Sequence, residues 1–302
     1  MQTYHANGKL LITGEYAVLD GALALAIPCK YGQQLDVESN DIGIVDWKSL
    51  DHENKIWFEA KFNLGFEILN TSNQEMAERL QTILKECKIQ NQNFLLKGAN
   101  FTTTLDFPRQ WGLGTSSTLV SLIAQFANIN PFDLYFKTFG GSGYDIACAT
   151  INTPILYQLK NKKPLVEKVH FAPDFIDNLY FIYLDKKQNS RDGINHYRKK
   201  NTYNQELIAK VSTLTRQLLV SQNLKEFSKI LDEHESIVSN FLNFPQVKTL
   251  HFDDFQGSIK SLGAWGGDFV LAISSVKRSK IYDYFEKKGF KTIIPYGEMM
   301  KK

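Results

Sequence analysis

The sequence predicts an α+β protein built as two domains. Two observations carry this. The chain has 302 residues, enough for two sizeable cores. Its apolar residues form short strand-like runs interleaved with amphipathic helical stretches, a pattern that sets helices on antiparallel sheets in both halves.

Residues 9–20 read as a buried strand turning back through Asp20-Gly21, a hairpin signal. Ala24 to Val37 reads as extended, interrupted by Pro28 and Gly32. Residues 40–70 are polar with alternating aromatics, the pattern of edge strands and loops. Met76, Leu80, Ile83, Leu84 and Cys87 share one face of a helix over 73–88. Phe94 to Leu105 returns to strand. A helix follows residue 114 and runs through Asn128, and Asn130-Pro131 opens a shorter one that ends at Phe139-Gly140-Gly141. Ile155 to Leu159 is a strand. Residues 160–174, with Pro164 and Pro173, are the best linker candidate, which divides the chain into domains at 1–160 and 175–302. The second half opens with the apolar strand Leu179 to Leu184. Helices over about 201–221 and 224–242 follow, and the tail reads strand 268–274, helix 276–288, strand 291–295.

Composition excludes several classes. Hydrophobic residues at 43% and charged residues at 22% fit a soluble globular chain. A net charge of +3 argues against a nucleic-acid partner. No run of 18 apolar residues points to a membrane span, and Met-Gln-Thr-Tyr-His-Ala lacks the basic and apolar regions of a secretory signal. Cys29, Cys87 and Cys148 are scattered, as free thiols in a reducing cytoplasm would be. The histidines form no His-x-x-x-His pair, so neither a zinc site nor a nucleophilic triad is expected, and Glu233-His234-Glu235 reads as a solvated stretch of helix. The segment 185–200 sets Lys186, Lys187, Arg191, Arg198, Lys199 and Lys200 against Asp185 and Asp192, a local charge of +4. It is either a solvated loop or a basic lid over an anionic substrate.

The stretch with most chemistry in it is Gly112-Leu113-Gly114-Thr115-Ser116-Ser117. The glycines permit turns that a side chain would block, and Thr115, Ser116 and Ser117 are candidate caps for the helix that follows. A helix N-terminus presents unpaired N–H groups and a positive dipole end, so the segment is either a phosphate loop or a plain capping turn. It is no Walker loop, because no Gly-Lys-Ser/Thr follows, and no Gly-x-Gly-x-x-Gly dinucleotide turn.

Three further segments narrow the choice. They are 7–21 (Asn-Gly-Lys-Leu-Leu-Ile-Thr-Gly-Glu-Tyr-Ala-Val-Leu-Asp-Gly), 141–147 (Gly-Ser-Gly-Tyr-Asp-Ile-Ala) and 261–269 (Ser-Leu-Gly-Ala-Trp-Gly-Gly-Asp-Phe). In this order with the glycine loop, they resemble the motifs of the GHMP small-molecule kinases. The string at 141–147 resembles the bacterial branch named for Gly-Tyr-Asp-Ile-Ala. The resemblance implies an N-terminal domain like ribosomal protein S5 domain 2 and a ferredoxin-like C-terminal domain. It implies ATP bound by Gly112 to Ser117, with Mg²⁺ on a serine hydroxyl of that loop, Ser117 in preference to Ser116. It implies Lys9 beside the transferred phosphoryl group and Asp145 as general base, although Asp145 also suits a helix cap. Glu15, Tyr16, Gly263, Gly266 and Gly267, with Lys187, Ser190 and Arg191 of the basic segment, are the candidate substrate-binding residues.

Two departures stand out. Trp265 replaces a family glycine, either narrowing the site or stacking on a ligand. The helix before Asp145 lacks the metal-binding glutamate of many mevalonate kinases and offers only Asp133. Glu15-Tyr16, Gly267-Asp268 and the missing glutamate make phosphomevalonate the first choice of acceptor. The alternatives are a mevalonate kinase and a non-catalytic nucleotide-binding regulator. Acceptor and oligomeric state are not legible in the sequence.

Overall fold

A computed structural model describes residues 1–186, 190–200, 204–263, 265 and 267–301, with the side chains of Ser190 and Arg191 outside the description. In chain order the strands and helices are β1 (Gln2–Thr13), β2 (Ala24–Asn40), β3 (Val45–Leu50), β4 (Ile56–Phe62), β5 (Ile68–Thr71), α1 (Gln74–Gln90), β6 (Gly98–Leu105), α2 (Thr115–Ala127), α3 (Pro131–Thr138), α4 (Tyr144–Thr150), β7 (Ile155–Lys160), β8 (Lys163–Lys168), β9 (Leu179–Tyr183), α5 (Ser190–Lys199), α6 (Gln205–Leu219), α7 (Leu224–Leu242), α8 (Val247–His251), β10 (Ser258–Ser261), β11 (Phe269–Ile273), α9 (Arg278–Lys287), β12 (Ile293–Pro295) and α10 (Tyr296–Met299). The expected α+β class holds.

The backbone packs as two units. The first comprises Met1–Gly8, Tyr31–Arg109 and Leu113–Thr150. The second comprises Lys9–Lys30, Gln110–Gly112 and Ile151–Lys302. Strands β1 and β2 each contribute residues to both.

In the first unit the strands run β5-β4-β3-β6 and on to the C-terminal half of β2. β3 pairs β6 in parallel, Trp47 opposite Phe101, and β6 pairs β2 antiparallel, Thr103 opposite Leu35. The alternating aromatics of 45–62 turn Trp47, Phe58 and Phe62 into the core with Phe101. Leu80, Ile83 and Leu84 of α1 and Val120, Ile123 and Ala124 of α2 cover them. The i, i+3, i+4 spacing that predicted these helices is the spacing that buries them.

In the second unit the N-terminal half of β2 pairs β7, Leu25 opposite Leu156, and β7 forms a hairpin with β8. The segment expected as a linker therefore carries a strand: Pro164 sits at an edge, where a missing N–H costs nothing. A four-stranded antiparallel sheet, β10-β11-β9-β12, holds Phe181 opposite Leu271 on one side and Ile294 on the other. The hairpin expected after residue 9 starts earlier, at Gln2, and returns through a 3₁₀ turn (Ala17–Asp20) closed by Gly21 at φ 92°. β10 went unpredicted, because Ser-Ile-Lys-Ser carries too little apolar signal. No described helix is long and apolar enough to cross a membrane.

Candidate functional site

The glycine loop departs from its expected capping in a telling way. Helix α2 starts from Gly114, which lies at φ 95° and supplies no side chain, and no side chain caps this end. Of the expected caps Thr115, Ser116 and Ser117, none is the residue from which the helix starts. Ser117 is buried and its Oγ donates to the Gly114 carbonyl at 2.8 Å. Thr118 Oγ1 donates to Gln33 Oε1 at 2.7 Å. Ser116 is exposed. Among the described residues the first-turn N–H groups therefore have no side-chain cap, which leaves the positive end of the helix dipole open. Of the two serines weighed as Mg²⁺ ligands, Ser116 is exposed and Ser117, the first choice, is buried with its hydroxyl hydrogen donated to the loop backbone.

Thr115 and Ser116 form one wall of a pocket of about 100 Å³ within the first unit. Trp47, Trp57, Phe58 and Phe139 supply aromatic walls, and Gln33 and Arg79 supply polar ones. The Arg109 guanidinium lies 3.6 Å from the centre of the Trp57 ring, a cation–π contact. Burial holds Arg109 below its ordinary pKa. The sequence did not disclose the pocket: Trp47, Trp57 and Phe58 fell in a stretch read as edge strands and loops, and Phe139 at a helix end.

Asp145 lies in the first turn of α4, half-buried. Its Oδ1 accepts from the Ile146 N–H at 3.1 Å and its Oδ2 from the Tyr135 hydroxyl at 3.3 Å. Tyr135 is a partner that sequence reasoning did not name.

In the second unit, the Lys9 ammonium donates to the Gly112 carbonyl at 3.1 Å. On Gly112, at φ 65°, an added Cβ would lie 2.2 Å from Asp268 Oδ2. Lysine and aspartate thus flank one glycine. Trp111 packs edge-on against Phe269 at 5.5 Å, and the Tyr183 hydroxyl donates to the Gln110 carbonyl at 3.1 Å. The entry to the glycine loop is held by side chain and backbone together.

Glu15 is fully enclosed. Its Oε1 accepts from Lys260 Nζ at 2.6 Å, and Lys260 also reaches Glu235 Oε2 at 3.3 Å. Ser261 donates to both oxygens of Glu235. His234 Nε2 accepts from the Gly14 N–H at 3.0 Å and lies 3.6 Å from Glu15 Oε2. Burial, only partly offset by Lys260, pushes Glu15 up to about 7. Burial would lower Lys260, but its two carboxylates more than compensate and raise it. Burial holds His234 well below its ordinary value, so its ring is neutral with the proton on Nδ1. The reading of Glu233-His234-Glu235 as solvated holds only for Glu233. His234 and Glu235 lie on the inward face of α7 and are at most 1% exposed.

Tyr16 is buried, with its hydroxyl accepting from the Trp265 N–H at 3.0 Å. Trp265 is also buried, and its indole donates to the Pro245 carbonyl at 3.1 Å. Trp265 thus packs into the core of the second unit. Gly263, at φ 66°, has open space around it, and Gly267 is buried. Ser190 and Arg191 begin α5 but their side chains, like Lys187 and Gly266 altogether, lie outside the described residues. Within the basic segment, Lys186, Arg198 and Lys199 are exposed, whereas Lys200 donates to the Phe241 carbonyl at 2.8 Å.

No protein-family profile matches the chain, and no curated protein matches it by sequence. Solved structures match its fold. The phosphomevalonate kinase of Streptococcus pneumoniae, in complex with phosphomevalonate and AMPPNP, is similar over 96% of this chain and 98% of its own, at TM-score 0.73 and 18% identity. The mevalonate kinase of Methanococcus jannaschii is similar over 97% and 96%, at 0.71 and 17% identity. The galactokinase of Lactococcus lactis, complexed with galactose, is similar over 100% and 95%, at 0.69 and 14% identity. The chain therefore has the two-domain α+β fold of the GHMP kinases.

Proposed function

We propose that the protein is an ATP- and Mg²⁺-dependent small-molecule kinase of the GHMP type, acting on a small acidic acceptor, with phosphomevalonate the first choice and mevalonate the alternative. One observation carries the reading: an uncapped helix N-terminus opens beside an aromatic pocket, in a fold shared with kinases. The pocket takes the nucleobase against Trp57, and the first-turn N–H groups of α2 take the phosphates. Mg²⁺, when bound, neutralises phosphate charge. The exposed Ser116 hydroxyl offers it an oxygen. Mg²⁺ dehydrates reluctantly and needs few protein ligands.

Lys9 offsets charge on the transferred phosphoryl group. Asp145, oriented by Tyr135, accepts the proton of a hydroxyl acceptor. The basic segment, including Lys187, Ser190 and Arg191, and the glycines 263, 266 and 267 receive the anionic acceptor. The three buried thiols suit a reducing cytoplasm. The non-catalytic reading rested on Trp265, whose burial in the core gives it a structural role instead.

The choice between acceptors stays with the sequence features, because mevalonate kinase, phosphomevalonate kinase and galactokinase share this fold. A coupled ADP assay across mevalonate, phosphomevalonate and related acids tests it: phosphomevalonate-dependent ADP release supports the reading, and no release with any acid refutes it. Asp145→Asn then discriminates by chemistry. A phosphate monoester is already mostly ionised at neutral pH, its second pKa being near ~6, so the loss in kcat is on the order of tenfold. A hydroxyl acceptor needs the base, and the loss is on the order of a thousandfold.

A further inference from the structure

Three segments singled out in the sequence meet at one side chain. Tyr16 stands in the turn after β1 at φ 58° and ψ −45°, a backbone conformation that a bulky residue adopts only when its surroundings impose it. Its hydroxyl accepts from Trp265 in the 263–267 loop. Its ring stacks on Tyr197 of α5, with centroids 5.9 Å apart and planes 18° from parallel. Tyr197 in turn donates its hydroxyl to Asp20 Oδ2 at 2.6 Å, in the same turn as Tyr16.

Gly193 explains how α5 comes so close. A glycine inside a helix costs about 1 kcal/mol relative to alanine, so its presence calls for a reason. A Cβ on Gly193 would lie 2.4 Å from the Tyr16 hydroxyl oxygen and 2.9 Å from Cε1. The ring has little room to retreat, because Tyr197 covers it and Trp265 holds its hydroxyl. The far side of α5 is tied down as well. His196 Nε2 lies 3.0 Å from the Leu242 carbonyl, and its ring stacks on Phe244 at 4.4 Å. Arg198 and Lys199 remain exposed on the docked helix.

We propose that Tyr16 is a positioning residue: its buried side chain docks the basic helix α5 and Trp265 onto the turn at residues 14–21, and thereby sets the affinity for the anionic acceptor without touching it. The proposal rests on the reading that the basic segment receives the acceptor. A helix docked in advance spares the acceptor the entropy of ordering it. The nucleotide pocket, built in the first unit, does not depend on Tyr16, so the effect separates the two substrates.

The experiment uses the full chain with Gly193→Ala, Tyr16→Ala, the double variant and the milder Tyr16→Phe, each checked for cooperative melting. Two readouts are taken: hydrogen exchange of residues 192–199 without ligand, and separate KM values for phosphomevalonate and ATP. Gly193→Ala is expected to speed exchange at 192–199 about tenfold or more and to raise the phosphomevalonate KM by a similar factor, with the ATP KM within twofold. In the Tyr16→Ala background Gly193→Ala adds nothing, because the clash is gone. Tyr16→Phe keeps the stack and shows a smaller rise of the same kind. Unchanged exchange in the folded Gly193→Ala protein, a Gly193→Ala effect that persists in full in the Tyr16→Ala background, or faster exchange with an unchanged phosphomevalonate KM overturns the proposal. Absence of turnover in the wild type refutes the kinase reading instead, and the exchange coupling then decides the docking alone.

Discussion

The long helices of this protein begin in two ways. Helices α1, α6 and α7 start under an asparagine: Asn73, Asn204 and Asn223 accept from the N–H groups of Met76, Leu207 and Glu226. Helix α2, of similar length, starts from Gly114 with no side-chain cap. The same opposition appears among the charges. Glu15, Lys260 and Glu235 pair with one another inside the second unit, whereas Thr115 and Ser116 border an open pocket. The paired groups are enclosed in the fold, and the open end of α2 borders a pocket that a ligand can fill. Changes at closed groups should move stability and leave nucleotide affinity alone. Changes at open groups should do the reverse.

The largest stability effect is expected at the buried cluster. Glu15 has a folded pKa of about 7, above its unfolded value, so the folded chain holds a proton that the unfolded chain has lost. Its contribution is full at low pH and disappears as pH rises toward about 7. His234 works oppositely: held neutral in the fold, it costs stability as pH falls below its ordinary range. The difference between wild type and Glu15→Gln isolates the first effect. Wild type should lose on the order of 3 kcal/mol relative to Glu15→Gln between pH ~4.5 and ~7. Parallel stability curves from denaturant titrations would show that Glu15 is ionised throughout. At the open pocket, Trp57→Ala should weaken ATP binding by about 1–3 kcal/mol, the cost of a lost base stack, with melting little changed. Calorimetry and a thermal melt separate the two. The smallest effect is expected at a closed cap. Asn223→Ala should cost about 1 kcal/mol of stability and leave ATP affinity unaltered. A change in ATP affinity there would break the distinction between closed and open helix ends.

What was legible in the sequence follows the same line. The helices announced themselves through apolar spacing, and α7 falls on its predicted residues. The glycine loop was visible because Gly112 and Gly114 do occupy positive φ, where few other residues sit comfortably. The serine and threonine caps were misassigned because composition names candidate acceptors but not where their hydroxyls point. His234 and Glu235 read as solvated because charged and polar residues usually are, and nothing local singled out Lys260. Their burial depends on Glu15, 245 positions from Lys260, and no local pattern reports a partner that distant. The pocket was hidden for a related reason: Trp47 and Trp57 fell in a stretch read as edge strands and loops until β3 and β4 paired and brought them beside α2.

The central claim is that the N-terminus of α2 is left uncapped for the phosphates of a nucleotide. Ser116→Asp tests it most directly, because the two possible roles of this helix end predict opposite results. An acidic side chain in the first turn favours the helix dipole by about 0.3–1 kcal/mol, so the variant should melt no lower than wild type. The same carboxylate would repel the phosphates, so isothermal titration calorimetry with ATP in the absence of Mg²⁺, which the carboxylate would otherwise help to hold, should show binding weakened by on the order of tenfold or more. A folded Ser116→Asp protein that binds ATP as tightly as wild type would contradict the account.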